Sequence, residues 1–169
     1  MNLALVSYSF VIITTTLIFT QIDLDGGTMT HVLFSISGYS LLFVSFILSF
    51  VVNLQRKQLK LKALNNKIIN TLPPLEKVEN LLFSNIYLSF LLITFAIISG
   101  FVFLDDIFAQ QLVHKTFFTI LAWILLLMIT ALRLQFGLRD KKATRLIQAS
   151  FIFIVIGYFG SKLVLSLIN

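Results

Sequence analysis

Five long segments of predominantly apolar residues occupy most of this sequence, and they constrain the fold more than any other feature. A helix of about 20 apolar residues can cross the hydrocarbon core of a bilayer, where backbone polar groups must be paired within the segment. The sequence therefore predicts an all-α integral membrane protein, a bundle of five transmembrane helices. We expect a single transmembrane domain over residues 1–169, with spans at about residues 2–21, 31–54, 81–104, 112–132 and 149–168.

The composition and the absence of common motifs exclude several classes of protein. Hydrophobic residues make up 58% of the chain and charged residues 12%, whereas about a quarter of the residues of a soluble domain are charged. The chain has no cysteine, which excludes disulfides, thiolate metal sites and a cysteine nucleophile. It also lacks a GxSxG elbow, an HExxH pair, a Walker loop and a Rossmann turn. We therefore expect a membrane protein that is not an enzyme.

The basic residues predict the direction in which the helices cross the membrane. Eleven of the 13 lysines and arginines lie between the second and third segments or between the fourth and fifth. Loops rich in lysine and arginine stay in the cytoplasm, so the N-terminus is predicted inside and the C-terminus outside. The same pattern accounts for the pI of about 9.8. We therefore expect the lipid bilayer, and no nucleic acid, as a partner.

Small and hydroxyl-bearing residues recur on one face of the later helices. In the second segment they follow His31 at steps of three and four residues, which places them on one side of a helix. Helices in lipid associate through small residues and hydrogen-bonding side chains, so these faces are predicted to point into the bundle. The predicted inward faces are His31, Ser35, Gly38, Leu42, Ser45 and Ser49; Asn85, Ser89, Leu92, Ala96, Ser99 and Gly100; Thr116, Thr119, Trp123, Leu126 and Thr130; and Ser150, Ile154, Gly157 and Ser161.

The chain has two histidines, and the predicted topology places both at the outer ends of helices. His31 begins the second segment, and His114 lies at the start of the fourth. Two imidazoles at one level of a helix bundle can be axial ligands of a haem iron, or ligands of another metal ion, through a neutral ring nitrogen. Histidines also occur as ordinary polar residues at helix ends, so the pair alone leaves both interpretations open.

Several stretches resemble the cytochrome c assembly family of membrane proteins, and within it a short YpjD-like branch. They are "HVLFSISGYSLLFVSFILSFVVNLQRKQLK", "LPPLEKVENLLF", "DDIFAQQLVHKTFFTILAWILL" and "GYFGSKLVL", and the resemblance extends over nearly everything after about Thr30. Larger members of the family handle haem for attachment to c-type cytochromes on the outer side of the membrane. The resemblance implies a multi-pass protein of the bacterial inner (plasma) membrane that binds or handles haem at its outer face.

The resemblance also implies site residues. His31 corresponds to the family's outer histidine at the head of a transmembrane helix, and His114 belongs to the pattern of the short branch. Both are predicted ligands of a haem iron. Under the haem hypothesis Trp123 and Tyr39 are candidates for stacking near the porphyrin edge, and ordinary packing in the bundle is the favoured alternative for both rings. In place of the tryptophan-rich motif of larger members the chain has "LDDIFAQQLVHK", and Ala131 stands where they carry a membrane-embedded histidine.

Three functions follow as hypotheses. The leading one is haem binding in c-type cytochrome biogenesis, with an apocytochrome or other membrane proteins as partners. The alternative is a non-enzymatic membrane scaffold subunit that stabilises a transporter or an assembly complex. A transporter is disfavoured because the middles of the predicted spans contain no charged residue.

Overall fold

Five α-helices form the part of the chain that the structure describes. The computed structural model describes residues 3–19, 26–60, 73–103, 110–137 and 141–168, without the side chains of residues 3, 18, 19, 110–114 and 159–168. The predicted all-α fold is confirmed. The helices are α1 (Leu3–Phe19), α2 (Gly26–Lys60), α3 (Leu75–Phe103), α4 (Gln110–Phe136) and α5 (Lys141–Ile168).

Three of the described helices are long and apolar enough to cross a membrane: Gly26–Lys60, Leu75–Phe103 and Lys115–Phe136. The protein is therefore a multi-pass membrane protein. Helix α1 is apolar over the shorter stretch Ala4–Leu17, and the side chains of residues 159–168 at the end of α5 lie outside the described residues. The number of five spans and the orientation of the termini stay predictions.

Helix α2 lies at the centre of the bundle and contacts the other four helices. It packs most extensively against α3 and also contacts α1 and α5. Each of its four neighbours shares a side-chain hydrogen bond with it. These bonds join Ser40 to Thr14 of α1, His31 to Ala96 of α3, Tyr39 to Thr119 of α4, and Asn53 to Thr144 of α5.

Consecutive helices run in opposite directions, so α2 and α4 are parallel to each other. His31 near the start of α2 contacts the C-terminal half of α3, while Gln55 near its end donates to the Pro73 carbonyl just before α3. The described basic residues at the end of α2, the end of α4 and the start of α5 therefore meet at one end of the bundle, which we call the basic end. They include Arg56, Lys57, Lys60, Arg133, Lys141, Lys142 and Arg145.

The inward face predicted for α2 is confirmed by burial. Gly38, Leu42, Ser45 and Ser49 are buried, and Ser35 is 8% exposed. Gly38 is the point of closest approach to α3, since a Cβ atom there would lie 2.8 Å from Cγ1 of Ile93 and 3.3 Å from its backbone nitrogen. The predicted faces of α3 and α5 are also largely buried, including Asn85, Ser89, Ala96, Ser150 and Gly157. On α4, Leu126 is buried, whereas the other predicted residues are half-buried, and Ser161 of α5 lies outside the described side chains.

Helices α2 and α3 begin or end outside the segments that hydropathy predicts. Helix α2 continues to Lys60 rather than ending near Leu54, because glutamine, lysine and leucine favour helix although only leucine is apolar. Helix α3 begins at Leu75, where the Pro74 carbonyl accepts the backbone N–H groups of Lys77 and Val78 at 2.9 and 3.3 Å. Hydropathy detects only the part of a helix that lies in hydrocarbon.

A buried ion pair joins α2 and α3 at the basic end. Arg56 donates to Oε1 of Glu79 through Nε at 3.0 Å and through Nη2 at 2.7 Å. The two side chains are 13% and 8% exposed. The fork of the guanidinium reaches one carboxylate oxygen twice, which fixes the relative position of the two helix ends.

We expect Gly38→Val to destabilise the protein by about 1–3 kcal/mol, because the new side chain would overlap Ile93 and push α3 away from α2. Unfolding in mixed detergent micelles, followed by circular dichroism, measures this loss. Gly26→Ala is the matched control, since nothing lies within 4 Å of a Cβ atom at Gly26. Equal stability of the two variants would contradict the close approach.

Glu79→Gln should lower the free energy of unfolding by about 3 kcal/mol, because it leaves the Arg56 guanidinium without its carboxylate in a buried position. Glu76→Gln, at an exposed position one turn earlier on α3, should change it by less than about 0.5 kcal/mol. The same unfolding measurement compares the two, and similar losses would show that the pair is not a stabilising contact.

Candidate functional site

A cavity of about 550 Å³ lies between α2, α3, α4 and α5, at the end of the bundle opposite the basic end. Small-molecule and cofactor sites have volumes of roughly 300–1,000 Å³, with mainly apolar walls and a few polar groups. The walls of this cavity fit that description. Its described polar side chains are His31, Ser35, Tyr39, Lys115, Thr116, Thr119 and Tyr158, and the remaining wall is formed by aliphatic residues, glycines, Ala96 and Phe101.

The hydrogen bonds of His31 determine which ring nitrogen carries the proton. Nδ1 of His31 lies 2.8 Å from the Ala96 carbonyl oxygen. A carbonyl oxygen only accepts, so Nδ1–H is the donor, and in the neutral ring Nε2 has a free lone pair. Ser99 Oγ donates to the same carbonyl at 3.0 Å and lies 3.4 Å from Nδ1. The α3 backbone thus orients the ring and selects its tautomer.

Ser35, one turn along α2 from His31, is bonded to the His31 backbone carbonyl and lies at the limit of hydrogen-bond distance from Nε2. Its Oγ donates its single proton to the His31 backbone carbonyl at 2.8 Å and lies 3.5 Å from Nε2. A hydroxyl has one proton to donate, so this bond leaves the Nε2 lone pair accessible to another partner. In metal-binding histidines one ring nitrogen binds the metal, and the N–H of the other nitrogen usually donates to a group such as a backbone carbonyl.

Tyr39 reaches across the cavity from α2 to α4. Its Oη and Oγ1 of Thr119 are 3.4 Å apart. Long side chains on a helix point toward its N-terminus, so the Tyr39 hydroxyl lies at the level of the preceding turn of α2. Ser35 is in that turn, so it is level with Thr119 of α4. Because α2 and α4 are parallel, the residues one turn closer to the two N-termini, His31 of α2 and Lys115 of α4, also lie at similar levels of the cavity.

Lys115 of α4 and Tyr158 of α5 contact each other in the wall of the cavity. The Lys115 ammonium lies 4.6 Å from the centre of the Tyr158 ring, within the range of a cation–π contact. The backbones are close here because Gly157 has no side chain: a Cβ atom there would lie 2.8 Å from Cβ of Phe118 and 3.6 Å from the Lys115 carbonyl oxygen. Because Gly157 is small, α5 packs closely against α4 beside Lys115, whose side chain lines the cavity.

The four predicted site residues have different placements. His31 and Tyr39 line the cavity together. Trp123 is not among the described lining residues; its indole N–H donates to Thr94 Oγ1 at 2.9 Å and its ring stacks on Phe90, with 5.8 Å between centroids. The backbone of His114 belongs to α4, but its side chain lies outside the described residues.

Sequence reasoning did not identify Lys115 as a residue of the site, and it missed Tyr158 and the Ala96 carbonyl. One signal for Lys115 was present, since it lies four residues before Thr119 and therefore on the same side of α4. The other two residues depend on how α3 and α5 pack, which no local pattern reveals. Among the described residues no group of three histidine, aspartate or glutamate side chains comes together to hold a metal ion. The described side chains that line the cavity thus include one imidazole, one ammonium and several hydroxyls.

Comparison with known proteins agrees with the helical membrane fold. A family model described as "Cytochrome C assembly protein" matches residues 1–169. The inner membrane protein YpjD of Escherichia coli K12 is 23% identical over 150 residues, which is 89% of this chain and 56% of YpjD, and YpjD from strains O6:H1 and O157:H7 matches equally. The chain spans about half the length of these curated relatives. No solved structure matches it. Because the family model covers all 169 residues, the chain belongs to the cytochrome c assembly protein family.

Proposed function

We propose that this protein binds haem in the cavity through Nε2 of His31 and takes part in handling haem for c-type cytochrome assembly, without being an enzyme itself. The observation that carries the proposal is the hydrogen bond from Nδ1 of His31 to the Ala96 carbonyl oxygen. This bond leaves Nε2 as a neutral donor atom in a cavity of cofactor size. Membership of the cytochrome c assembly family supports the same ligand at the family level.

The residues of the cavity fit a porphyrin. Its aliphatic walls match the apolar faces of the macrocycle, and Tyr39 supplies an aromatic side chain beside them. Haem, when bound, would supply an iron that accepts an imidazole nitrogen as a ligand. His31 would hold the iron, Ala96 and Ser99 would keep its ring in place, and the wall residues would exclude water from the porphyrin.

The location proposed for the protein is the bacterial inner membrane, with the cavity on the outer side. The curated relatives are named inner membrane proteins. Lysine and arginine accumulate in cytoplasmic segments, so the basic end would lie in the cytoplasm and the cavity at the opposite surface. An apocytochrome or a membrane partner would then receive or deliver haem at that surface. His114, at the same end of α4, is proposed as a second ligand, and Trp123 as an aromatic residue near the porphyrin edge.

A second candidate function is a scaffold subunit that stabilises a transporter or an assembly complex. Helix α1 favours it, because it packs mainly on α2 and leaves large aliphatic side chains outside the bundle. Leu5, Ile12 and Leu17 are each more than 60% exposed in the described chain. Lipid or a partner helix would cover this face. In this role the imidazole of His31 would be structural.

Purified protein in detergent should bind added haem and develop a Soret band, and His31→Ala should shift or abolish that band and weaken haem binding about tenfold or more. Free imidazole should restore part of the band in His31→Ala, because it can enter the space left by the side chain. Absorption titration measures both effects.

Thr30→Ala is the matched control for this experiment, since Thr30 is exposed and its hydroxyl bonds only the Gly26 carbonyl one turn away. It should leave the band unchanged. An unaltered spectrum in folded His31→Ala would refute His31 as a ligand. The scaffold function would be supported instead if the protein takes up no haem and still co-purifies with a membrane partner after His31 and His114 are both replaced.

The neutral ring of His31 should carry its proton on Nδ1, because only an N–H can bond the Ala96 carbonyl. Nitrogen NMR of protein labelled in histidine distinguishes the two tautomers, and the signals missing from His31→Ala assign the ring. A proton on Nε2 of His31 would contradict the orientation on which haem binding depends.

A further inference from the structure

Lys115 is the one lysine, arginine, aspartate or glutamate among the described residues that line the cavity. Its side chain is partly buried and lines the space between α2 and α5. No aspartate or glutamate belongs to the described lining. The ion pair recorded among the described residues, Arg56 with Glu79, lies at the basic end. A positive charge that faces a mainly apolar cavity can attract an anionic group of a ligand, so Lys115 is a candidate for binding one.

The position of Lys115 also separates it from the other described cations. The lysines and arginines of the described side chains otherwise lie at the basic end, where they follow the usual charge distribution of membrane proteins. That distribution does not require a lysine beside the cavity. Contact with the Tyr158 ring holds the ammonium at 4.6 Å from the ring centre without neutralising its charge. The ammonium thus remains able to attract an anion.

Lys115 and His31 lie at similar levels on two parallel helices, with the Tyr39–Thr119 hydrogen bond below them. A ligand held by both residues would have an acidic group beside Lys115 and a metal ion or polar group beside His31. Its apolar body would lie against the aliphatic wall of the cavity. Haem has this distribution, because its two propionate carboxylates project from one edge of an apolar macrocycle.

We propose that Lys115 is a specificity-determining residue of the cavity, which binds a carboxylate of the ligand and selects amphiphiles with an acidic edge. This inference rests on the proposed function, since it concerns the same cavity and takes haem propionate as the carboxylate. An ammonium and a carboxylate form a charge-assisted hydrogen bond, which is stronger than a bond between neutral groups. The lysine would recognise the acid group, and His31 would bind the iron.

A structural role for Lys115 gives a different expectation. A lysine near a helix end can extend its charged head toward the membrane surface while its methylene groups cover apolar neighbours. Loss of such a lysine would affect folding and the binding of any ligand to the same degree. It would not distinguish a ligand with free carboxylates from one without them.

The test compares haem with its dimethyl ester, in which both carboxylates are blocked and the porphyrin and iron are unchanged. Binding to detergent-solubilised protein is measured by Soret absorption and by quenching of the emission of Trp123, the single tryptophan of the chain. The wild-type protein should bind haem about tenfold more tightly than the ester, which corresponds to about 1.4 kcal/mol. Lys115→Gln should lose this preference by weakening haem binding alone, and Lys115→Arg should retain it.

Lys141→Gln is the matched control, because it removes the same charge from an exposed position at the basic end. It should leave both affinities unchanged. Equal affinity of the wild-type protein for haem and the ester would overturn the role of Lys115 while leaving haem binding by His31 intact. The role of Lys115 would also be overturned if Lys115→Gln weakened the binding of haem and of the ester to the same degree. If the folded wild-type protein binds neither porphyrin, the proposed function and this inference both fail.

Discussion

The contact between α2 and α3 at Gly38 is the constraint on which the rest of the structure depends. With no side chain at Gly38, Ile93 packs against the α2 backbone, and Ser89 Oγ donates to the Gly38 carbonyl at 2.9 Å. Helices in lipid gain little from the hydrophobic effect, so such close contacts and hydrogen bonds hold them together. Two turns away, the same packing brings His31 within 2.8 Å of the Ala96 carbonyl. The orientation of the imidazole is thus a consequence of helix packing.

The two ends of the bundle have different physical characters. At the basic end, polar side chains are matched with one another: Arg56 with Glu79, Asn53 with Thr144, and Gln148 with Ser49. At the other end, α2, α3, α4 and α5 surround the cavity. In the described chain, neither Nε2 of His31 nor the ammonium of Lys115 pairs with a protein carboxylate. Hydrogen bonds between helices thus join the bundle at one end, whereas Nε2 of His31 and the ammonium of Lys115 face a cavity that can hold a ligand.

Periodicity identified the inward faces correctly because burial in a helix bundle follows the helical repeat. Ser45, Ser49, Asn85 and Ser89 are fully buried, as their spacing predicts. Periodicity did not show how deeply each residue of a face is buried or which side chain it contacts. Trp123 shares a face with Thr119, yet its indole is bonded to Thr94 on α3, because the side chains that surround it belong to another helix. The prediction for His114 concerns a side chain outside the described residues.

The sequence alone determined that the chain is a helical membrane protein with most of its basic residues grouped at one end, because hydropathy and charge are local properties of each segment. It also identified His31 and Tyr39 as candidates. Only the tertiary structure decided that Lys115 and Tyr158 share their cavity and that the Ala96 carbonyl selects the tautomer of His31. These features depend on the distances between helices that are far apart in the chain, and such distances follow from side-chain packing rather than from any single segment.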